Sequence, residues 1–231
     1  MERKNFLVLM LVLVSISFTS CSKDEDGDIS PSITPSITPS SISIYYNSTY
    51  QLNGSNVVTW ESSNEFVATV DSKGLVRGGH VGTTTISASN GKNTATCNVT
   101  IIPKVILYDD PILEWGVSKS TIISKESHSL KSSSSSAMLA YDYSIGGNSC
   151  LLTYNFTNEK LSRIDVYLDL LSFTIAGNHL VERFSPLSIV GDIVMYSDGY
   201  TKDKTTTIVG LQTANVSGTE LTYISYIPSK E

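Results

Sequence analysis

The fold class of this chain is decided by residues 57–76, which read VVTWESSNEFVATVDSKGLV. β-Branched and aromatic residues alternate with polar ones in this stretch, and the sequence SKG at 72–74 is typical of a turn. Working outward, the same pattern of short strands and Gly or Asn turns extends over residues 42–102. About seven short strands at this spacing predict an all-β sandwich, and Trp60 is the expected core aromatic.

Five blocks of this region, taken in order, resemble the bacterial Ig-like group 2 (BIG2) domain. They are VTWESSN (58–64), VATVD (67–71), GLV (74–76), GTTTI (82–86) and TATCNVT (94–100). The resemblance covers residues 41–103 and implies an Ig-like sandwich of the kind found in cell-surface proteins, where it serves in adhesion or only as a spacer. It implies no catalytic residue. A fold does not determine a function, so adhesion and spacing both stay open.

Residues 1–20 have the order of a secretory signal peptide, with two basic residues, an apolar run at 6–14 and then small polar residues. The apolar run is too short to cross a bilayer core, which needs about 20 such residues. The sequence FTSC at 18–21 resembles a lipobox, and this implies that Cys21 is lipidated at the start of the mature chain. The alternatives are ordinary signal cleavage near the same place and an uncleaved membrane anchor.

An acidic run follows Cys21 and resembles the export signal that brings Bacteroidetes lipoproteins to the outer face of the outer membrane. Its residues are Lys23, Asp24, Glu25 and Asp26. The alternative is a solvated tether, because a run of like charges does not pack. We therefore expect a lipid-anchored protein of the cell envelope that is exposed on the outer-membrane surface.

The whole segment 21–40 is predicted to be a linker, acidic at first and then rich in Ser, Thr and Pro. Prolines at every fourth position, at 31, 35 and 39, are incompatible with a helix and favour polyproline II. This part of the linker should act as a semi-rigid spacer. The chain has a formal net charge of −6 and no basic patch, which argues against a nucleic-acid partner.

A second domain is predicted for residues 104–231, after Pro103. The expected elements are a strand at 105–108, a helix at 118–127, strands at 137–143, 150–156 and 161–168, a helix at 171–184, and strands at 193–196, 205–211 and 221–227. This order predicts an α+β domain with an antiparallel sheet and about two helices. The predicted fold class is thus multidomain, with an all-β Ig-like sandwich followed by an α+β domain.

Three features of the second domain carry a further resemblance. They are Trp115-Gly116 before the first helix, a Tyr-x-Phe strand at 154–156 and the hairpin sequence NEKL at 158–161. Together they resemble the C-terminal domains of other Bacteroides lipoproteins. Those domains in turn are similar to β-lactamase-inhibitor proteins and to a lipoprotein that assists outer-membrane assembly.

No catalytic, metal-binding or cofactor-binding residue is predicted. His80, His128 and His179 are isolated and lack metal-ligand spacing, so a surface or capping role is expected for each. Cys97 and Cys150 are expected to be buried, inert thiols.

Four acids of the second domain would form a glycosidase site only if two of them met in space, and the sequence offers no reason that they do. They are Asp109, Asp110, Glu182 and Asp192. The pair Glu182-Arg183 is expected to lie on the solvated face of the second helix.

These observations predict a cell-surface, lipid-anchored binding, adhesion or scaffold protein that is not an enzyme, needs no cofactor and binds a glycan or a protein. One alternative is an envelope-assembly or inhibitor-type lipoprotein that acts through its C-terminal α+β domain. A carbohydrate-active enzyme is the third hypothesis. Tyrosine is the dominant aromatic residue, with 12 copies. These tyrosines are either half-buried strand residues or exposed rings that stack on sugars and anchor interfaces.

Overall fold

The first half of the chain forms a sandwich of short strands. A computed structural model describes residues 33–169 and 173–230 of the chain. The strands of the first half are β1 (Ser36–Thr38), β2 (Ser41–Tyr45), β3 (Thr49–Gln51), β4 (Asn53–Ser55), β5 (Thr59–Ser62), β6 (Ala68–Val70), β7 (Leu75–Gly78), β8 (Gly82–Ser89) and β9 (Thr94–Ile102).

The strands of this sandwich are arranged in two main sheets. One sheet has the order β2-β9-β8-β5, in which β2 runs parallel to β9 and the other pairs are antiparallel. The other sheet has the order β3-β7-β6, and β1 and β4 form a separate pair. The buried residues of both sheets form one apolar core, which includes Leu52, Val76, Ile86 and Val99. The prediction of an all-β Ig-like sandwich is therefore confirmed.

Two expectations about this half need correction. Ser36–Thr38 is a strand that pairs with Asn53–Ser55, and Ile37 packs against the sandwich core, so the predicted polyproline spacer is wrong for this part of the segment 21–40. Trp60 is only half-buried and lies at the rim of the core. Its ring fills the space above two glycines, since a Cβ at Gly54 would lie 2.6 Å from the ring and one at Gly74 2.8 Å from it.

The second half of the chain combines two helices with one large sheet. Its elements are α1 (Lys119–Lys125), β10 (Met138–Ile145), β11 (Asn148–Thr157), β12 (Lys160–Leu168), α2 (Phe173–Val181), β13 (Ser185–Val190), β14 (Ile193–Ser197), β15 (Thr207–Val216) and β16 (Thr219–Pro228). All neighbouring strands are antiparallel, in the order β10-β11-β12-β16-β15-β14-β13. The predictions of two helices and an antiparallel sheet are confirmed. Ser118 caps the N-terminus of α1, where its side chain accepts from the N–H of Thr121.

One predicted strand of this half is wrong, and one observed strand was not predicted. Residues 105–108 form no strand, because this segment hydrogen-bonds to the side chains of His179 in α2 and Glu182 just after α2 instead of to a neighbouring strand. The strand β13, which contains Pro186, is absent from the predicted elements. Proline lacks an N–H and is tolerated on an edge strand, which is the place of β13 in the sheet.

The two halves of this domain repeat one topology. In the first half α1 is followed by a single bridge from Leu130 to Tyr141 and then by β10, β11 and β12. In the second half α2 is followed by β13, β14, β15 and β16. The halves meet where β12 pairs with β16, so the centre of the sheet is built from residues far apart in the chain.

The two faces of this sheet differ in character. Side chains alternate along each strand, and on β12 Ile164, Val166 and Leu168 are buried in a core that also contains Ile122 of α1 and Leu180 of α2. Both helices therefore pack on this face. The intervening side chains of β11, β12 and β16 lie on the opposite side of the sheet, which we call the open face.

Thr34–Glu231 forms one compact unit that contains two separate hydrophobic cores. One core belongs to the sandwich and the other to the α+β domain. The boundary between residues 103 and 104 remains a prediction, because the segment that follows it is held by groups from both sides.

Candidate functional site

The junction between the two cores is held by the C-terminal end of α2. Glu182 is 4% exposed, and its Oε2 accepts hydrogen bonds from the backbone N–H groups of Lys104 at 2.7 Å and Val105 at 3.0 Å. The backbone carbonyl of Glu182 also accepts a hydrogen bond from the N–H of Val81 in the sandwich at 2.7 Å. The residue that directly follows α2 is thus bonded both to the connecting segment and to the sandwich.

Arg183 holds the same segment from the other side. Its Nε donates to Oδ1 of Asp110, and its Nη1 donates to the carbonyl oxygens of Val105 at 3.3 Å and His179 at 3.0 Å. Glu182 and Arg183 are both buried, so the prediction of a charge pair on a solvated helix face is wrong. Buried charges need partners of their own, and each of these side chains has them.

His179 is fully buried within α2, and the expectation of a surface or capping role is wrong for it. The N–H of Leu107 donates to its Nδ1 at 3.2 Å, while its Nε2 has no hydrogen-bond partner among the described residues. Burial lowers the pKa of His179 to about 3, the positive charge of Arg183 adds to this shift, and the carbonyl of Val105 opposes it. The neutral ring stacks at a tilt on Tyr108, with centroids 4.1 Å apart.

His80 belongs to an aromatic cluster that joins the sandwich to the α+β domain. Its ring stacks on Phe66 with centroids 3.9 Å apart, and Tyr200 of the α+β domain lies against both rings, 4.9 Å from Phe66 and 5.8 Å from His80. Burial lowers the pKa of His80, although the carbonyl of Phe66 opposes the shift. A surface role for His80 is therefore also wrong.

His128 lies just beyond the end of α1, as expected, and bridges two carboxylates. Its Nδ1 lies 2.6 Å from Oε1 of Glu126 and its Nε2 lies 3.0 Å from Oδ2 of Asp109. Its ring stacks on Tyr143 with centroids 3.7 Å apart. The contact with Asp109 ties the segment after the sandwich to the end of α1.

The four acids considered for a glycosidase site have separate places. Asp109 contacts His128, Asp110 contacts Arg183, and Glu182 accepts from backbone N–H groups. Asp192 is exposed in the turn between β13 and β14. The structure does not bring these residues together.

The open face is organised around a buried carboxylate that sequence reasoning missed. Asp165 of β12 is 1% exposed and accepts hydrogen bonds from the Tyr223 hydroxyl at 2.7 Å, from Nε of Arg163 at 2.9 Å and from Nδ2 of Asn155 at 2.9 Å. Tyr167 lies directly opposite Tyr223 across the β12–β16 pair, with ring centroids 5.1 Å apart. The polar residues that alternate with apolar ones along β12 are the sequence signal for this face.

Burial and hydrogen bonding hold these side chains in fixed positions. Burial raises the pKa of Tyr223 to about 12. The hydrogen bond with Ser225 opposes this shift, and the hydrogen bond to the Asp165 carboxylate adds to it. Burial also raises the pKa of Tyr167. The side chains that Asp165 holds have lost their rotamer freedom before any ligand arrives, which lowers the entropic cost of binding.

Two adjoining concavities lie beside this network. They have volumes of about 450 and 420 Å³ and share Leu151, Tyr167 and Leu221 in their walls. Arg163 and Asp165 line the second concavity. A few polar groups fixed in a partly apolar concavity are the usual composition of a ligand site.

The remaining predicted residues are inert or lie elsewhere. Cys97 and Cys150 are buried free thiols, as predicted, and burial raises the pKa of Cys150 to about 11. The described residues contain no group of three or more His, Cys, Asp or Glu that could hold a metal ion. Cys21 and the run Lys23, Asp24, Glu25 and Asp26 lie outside the described residues. Within residues 33–169 and 173–230, no helix is long and apolar enough to cross a membrane.

Comparison with known proteins bears on the sandwich. Residues 41–100 match the family Bacterial Ig-like domain (group 2). This match covers the β2–β9 part of the sandwich and confirms the resemblance that the five sequence blocks indicated. No curated protein matches the chain.

Two solved structures of the surface layer protein SbsC are similar to the chain at low scores. The structure of its domains 4–9 is 13% identical with a TM-score of 0.27, and the match covers 86% of this chain and 27% of that one. The structure of its domains 5–6 is 15% identical with a TM-score of 0.25, and the match covers 84% of each chain. This chain thus spans about a quarter of the first structure, and scores this low support no inference about function.

Proposed function

We propose that this chain is a lipid-anchored binding or scaffold protein of the cell surface, in which the α+β domain presents its open face to a ligand. The Ig-like sandwich supports the surface location, because its family is found in cell-surface proteins. In this proposal the sandwich is a support that carries the α+β domain in a defined orientation, through the contacts of Glu182 and Arg183.

The observation that carries the proposal is the Asp165 network. A carboxylate buried on a sheet face is costly unless it is fully hydrogen-bonded, and here its partners are Tyr223, Arg163 and Asn155. Such a network fixes polar and aromatic groups beside Tyr167 and two concavities. Tyrosine and arginine are the residues most enriched where binding energy is concentrated.

Anchoring is assigned to the N-terminal segment. Cys21 would carry the lipid, and the acidic run at 23–26 would direct export to the outer face of the outer membrane. Each acyl CH₂ buried in a membrane contributes about 0.8 kcal/mol, so several acyl chains on one cysteine suffice for stable anchoring.

Attachment of intact cells tests the proposal. Cells with the wild-type chain should attach to surfaces coated with mucin or gelatin more strongly than cells that lack the gene. Tyr167→Ala should remove this gain, whereas Tyr45→Ala, a change of an exposed sandwich tyrosine, should retain it. Equal attachment of wild-type and gene-deleted cells to both surfaces would overturn the proposal.

An envelope-assembly or inhibitor-type role is the second candidate. It is favoured by the breadth of the open face, since seven strands form a surface wide enough for a protein partner and both helices pack on the other side. A photo-crosslinking residue at position 167 distinguishes the two. Crosslinks to one envelope protein of the same cell support the assembly role, and crosslinks only to the external coat support adhesion.

A further inference from the structure

A groove between the sandwich and the α+β domain is a second place where a ligand fits. One wall is formed by residues 62–66, at the end of β5 and just after it, and the other by the loop between β14 and β15. The volume of the groove is about 580 Å³. The lining side chains are mainly hydroxyl, amide and charged groups, so an apolar ligand would leave them without partners. Ligand sites occur preferentially at domain interfaces.

The exposed aromatic ring of this interdomain groove is Tyr200. Tyr200 is 62% exposed, although a large aromatic ring is usually buried to a greater extent. Its contacts with Phe66 and His80 are tilted by 56° and 59°, so the two neighbouring rings hold it from the side. Neither of these rings stacks on a face of Tyr200, and the ring is held in position before a ligand binds.

Polar groups from both domains surround this ring. Oδ1 of Asn64 accepts a hydrogen bond from the N–H of Phe66, and its Nδ2 has no partner among the described residues. Glu65 contributes a negative charge from the sandwich and Lys204 a positive charge from the other wall. Neither side chain forms an ion pair within the part of the chain that the structure describes.

We propose that the interdomain groove binds a saccharide. A pyranose ring has an apolar face of C–H groups and a rim of hydroxyl groups. The C–H face would stack on Tyr200, and the hydroxyl groups would accept from Asn64 and Lys204 and donate to Glu65.

The groove is also lined by the Asp198 carboxylate, which already accepts hydrogen bonds from Thr206 and Thr207. Glu65 and Lys204 therefore remain as one acceptor and one donor of opposite charge, which suits a polar ligand with many hydroxyl groups.

This inference goes beyond the proposed function, because the open face and the groove are separate surfaces. The groove exists only while the junction holds the two domains together. The contacts of Glu182 with Val81 and Lys104 therefore also hold the two walls in register.

Saturation-transfer NMR with the purified full chain tests the proposal. The probes are short oligosaccharides of glucose, galactose, mannose, N-acetylglucosamine and uronic acids at about 1 mM, a concentration suited to weak binding. At least one probe should receive saturation from the wild-type chain. Tyr200→Ala should weaken its binding by about tenfold or more, whereas Tyr200→Phe, which keeps the ring, should preserve it.

Three further variants identify the site. Lys204→Ala should weaken binding without altering the aromatic cluster. Tyr45 is 53% exposed and lies outside the groove, so Tyr45→Ala should have no effect on saccharide binding. Tyr167→Ala on the open face should also have no effect, so the groove and the proposed function are tested separately. The proposal is overturned if no probe binds, or if binding survives Tyr200→Ala and Lys204→Ala.

Discussion

Glu182, at the end of α2, accepts a 2.7 Å hydrogen bond from the backbone N–H of Lys104, in the segment that joins the two cores. The two residues are 78 positions apart in the chain. The sequence pattern predicts a strand at residues 105–108. In the structure the backbone N–H groups of Lys104 and Val105 donate to the buried Glu182 carboxylate instead of to a neighbouring strand. At the junction, the Glu182 side chain therefore fixes an irregular segment in place; we call this pair of hydrogen bonds the lock.

Removing this lock should expose the joining segment to solvent. We expect Glu182→Ala to destabilise the junction by about 1–3 kcal/mol, because the N–H groups of Lys104 and Val105 lose their acceptor. Hydrogen exchange should accelerate at these two amides by about tenfold or more. Glu61→Ala, a change of an exposed glutamate on β5, is the control. Unchanged protection at Lys104 and Val105 would show that the lock contributes nothing.

Acid should weaken the folded state through His179. Its pKa is about 3 when folded and about 6.5 when unfolded, so below pH 6.5 the unfolded chain binds a proton that the folded chain does not bind. Stability should therefore fall as pH drops from about 6.5 to 3, by up to about 1.4 kcal/mol for each pH unit. Denaturant unfolding across this range measures the slope.

In the variant His179→Gln, the free energy of unfolding should depend less steeply on pH between about 6.5 and 3. Burial also lowers the pKa of His80, so His80→Gln serves as a comparison that measures its smaller contribution in the same direction. Identical slopes for wild type and His179→Gln would contradict the assignment.

Trp60→Ala should destabilise the sandwich more than the α+β domain. A fully buried aromatic replaced by alanine costs about 3–5 kcal/mol, and the half-buried Trp60 should cost less. The chain has two tryptophans, so in this variant Trp115 is the remaining one and its fluorescence reports on the α+β domain alone. On heating, circular dichroism should show that the sandwich of the variant unfolds at a lower temperature than in wild type. The unfolding temperature reported by Trp115 fluorescence should not change. Val58→Ala, at an exposed position, is the control.

Replacing the proposed lipidation site should release the protein from membranes. In Cys21→Ala the acyl chains have no attachment point, and no helix of the described residues could replace them. The protein should move to soluble fractions, and a fatty-acid analogue should label wild type only. Equal labelling of both forms would refute the lipobox.

The acidic run should control which face of the outer membrane carries the protein. Changing Lys23, Asp24, Glu25 and Asp26 to alanine should keep lipidation and leave the protein on the inner leaflet. Protease treatment of intact cells measures this, because only surface-exposed chains are cleaved. Cleavage of the alanine variant at the wild-type rate would mean that the run is only a tether.

Much of the local structure could be predicted from the sequence. The alternation in residues 57–76 and the turn at Gly74, with its φ of 81°, led to the sandwich and its family. The helix that Ser118 caps and the hairpin turn at Asn158 and Glu159 follow from rules that involve residues close together in the chain. Strand β13 does not follow from the sequence pattern, because Pro186 favours an interruption of regular structure and is accepted only because β13 is an edge strand.

By itself the sequence determined where strands, turns and helices form, because alternation, capping and turn chemistry depend on near neighbours. Only the tertiary structure decided that Asp165 meets Tyr223, 58 residues away, and that Glu182 meets Lys104. Both contacts depend on the order of strands in the sheet and on how α2 packs beside the connecting segment. A charged residue at the end of a helix looks solvated in a sequence, and it becomes buried only when backbone donors from a distant segment replace water around it.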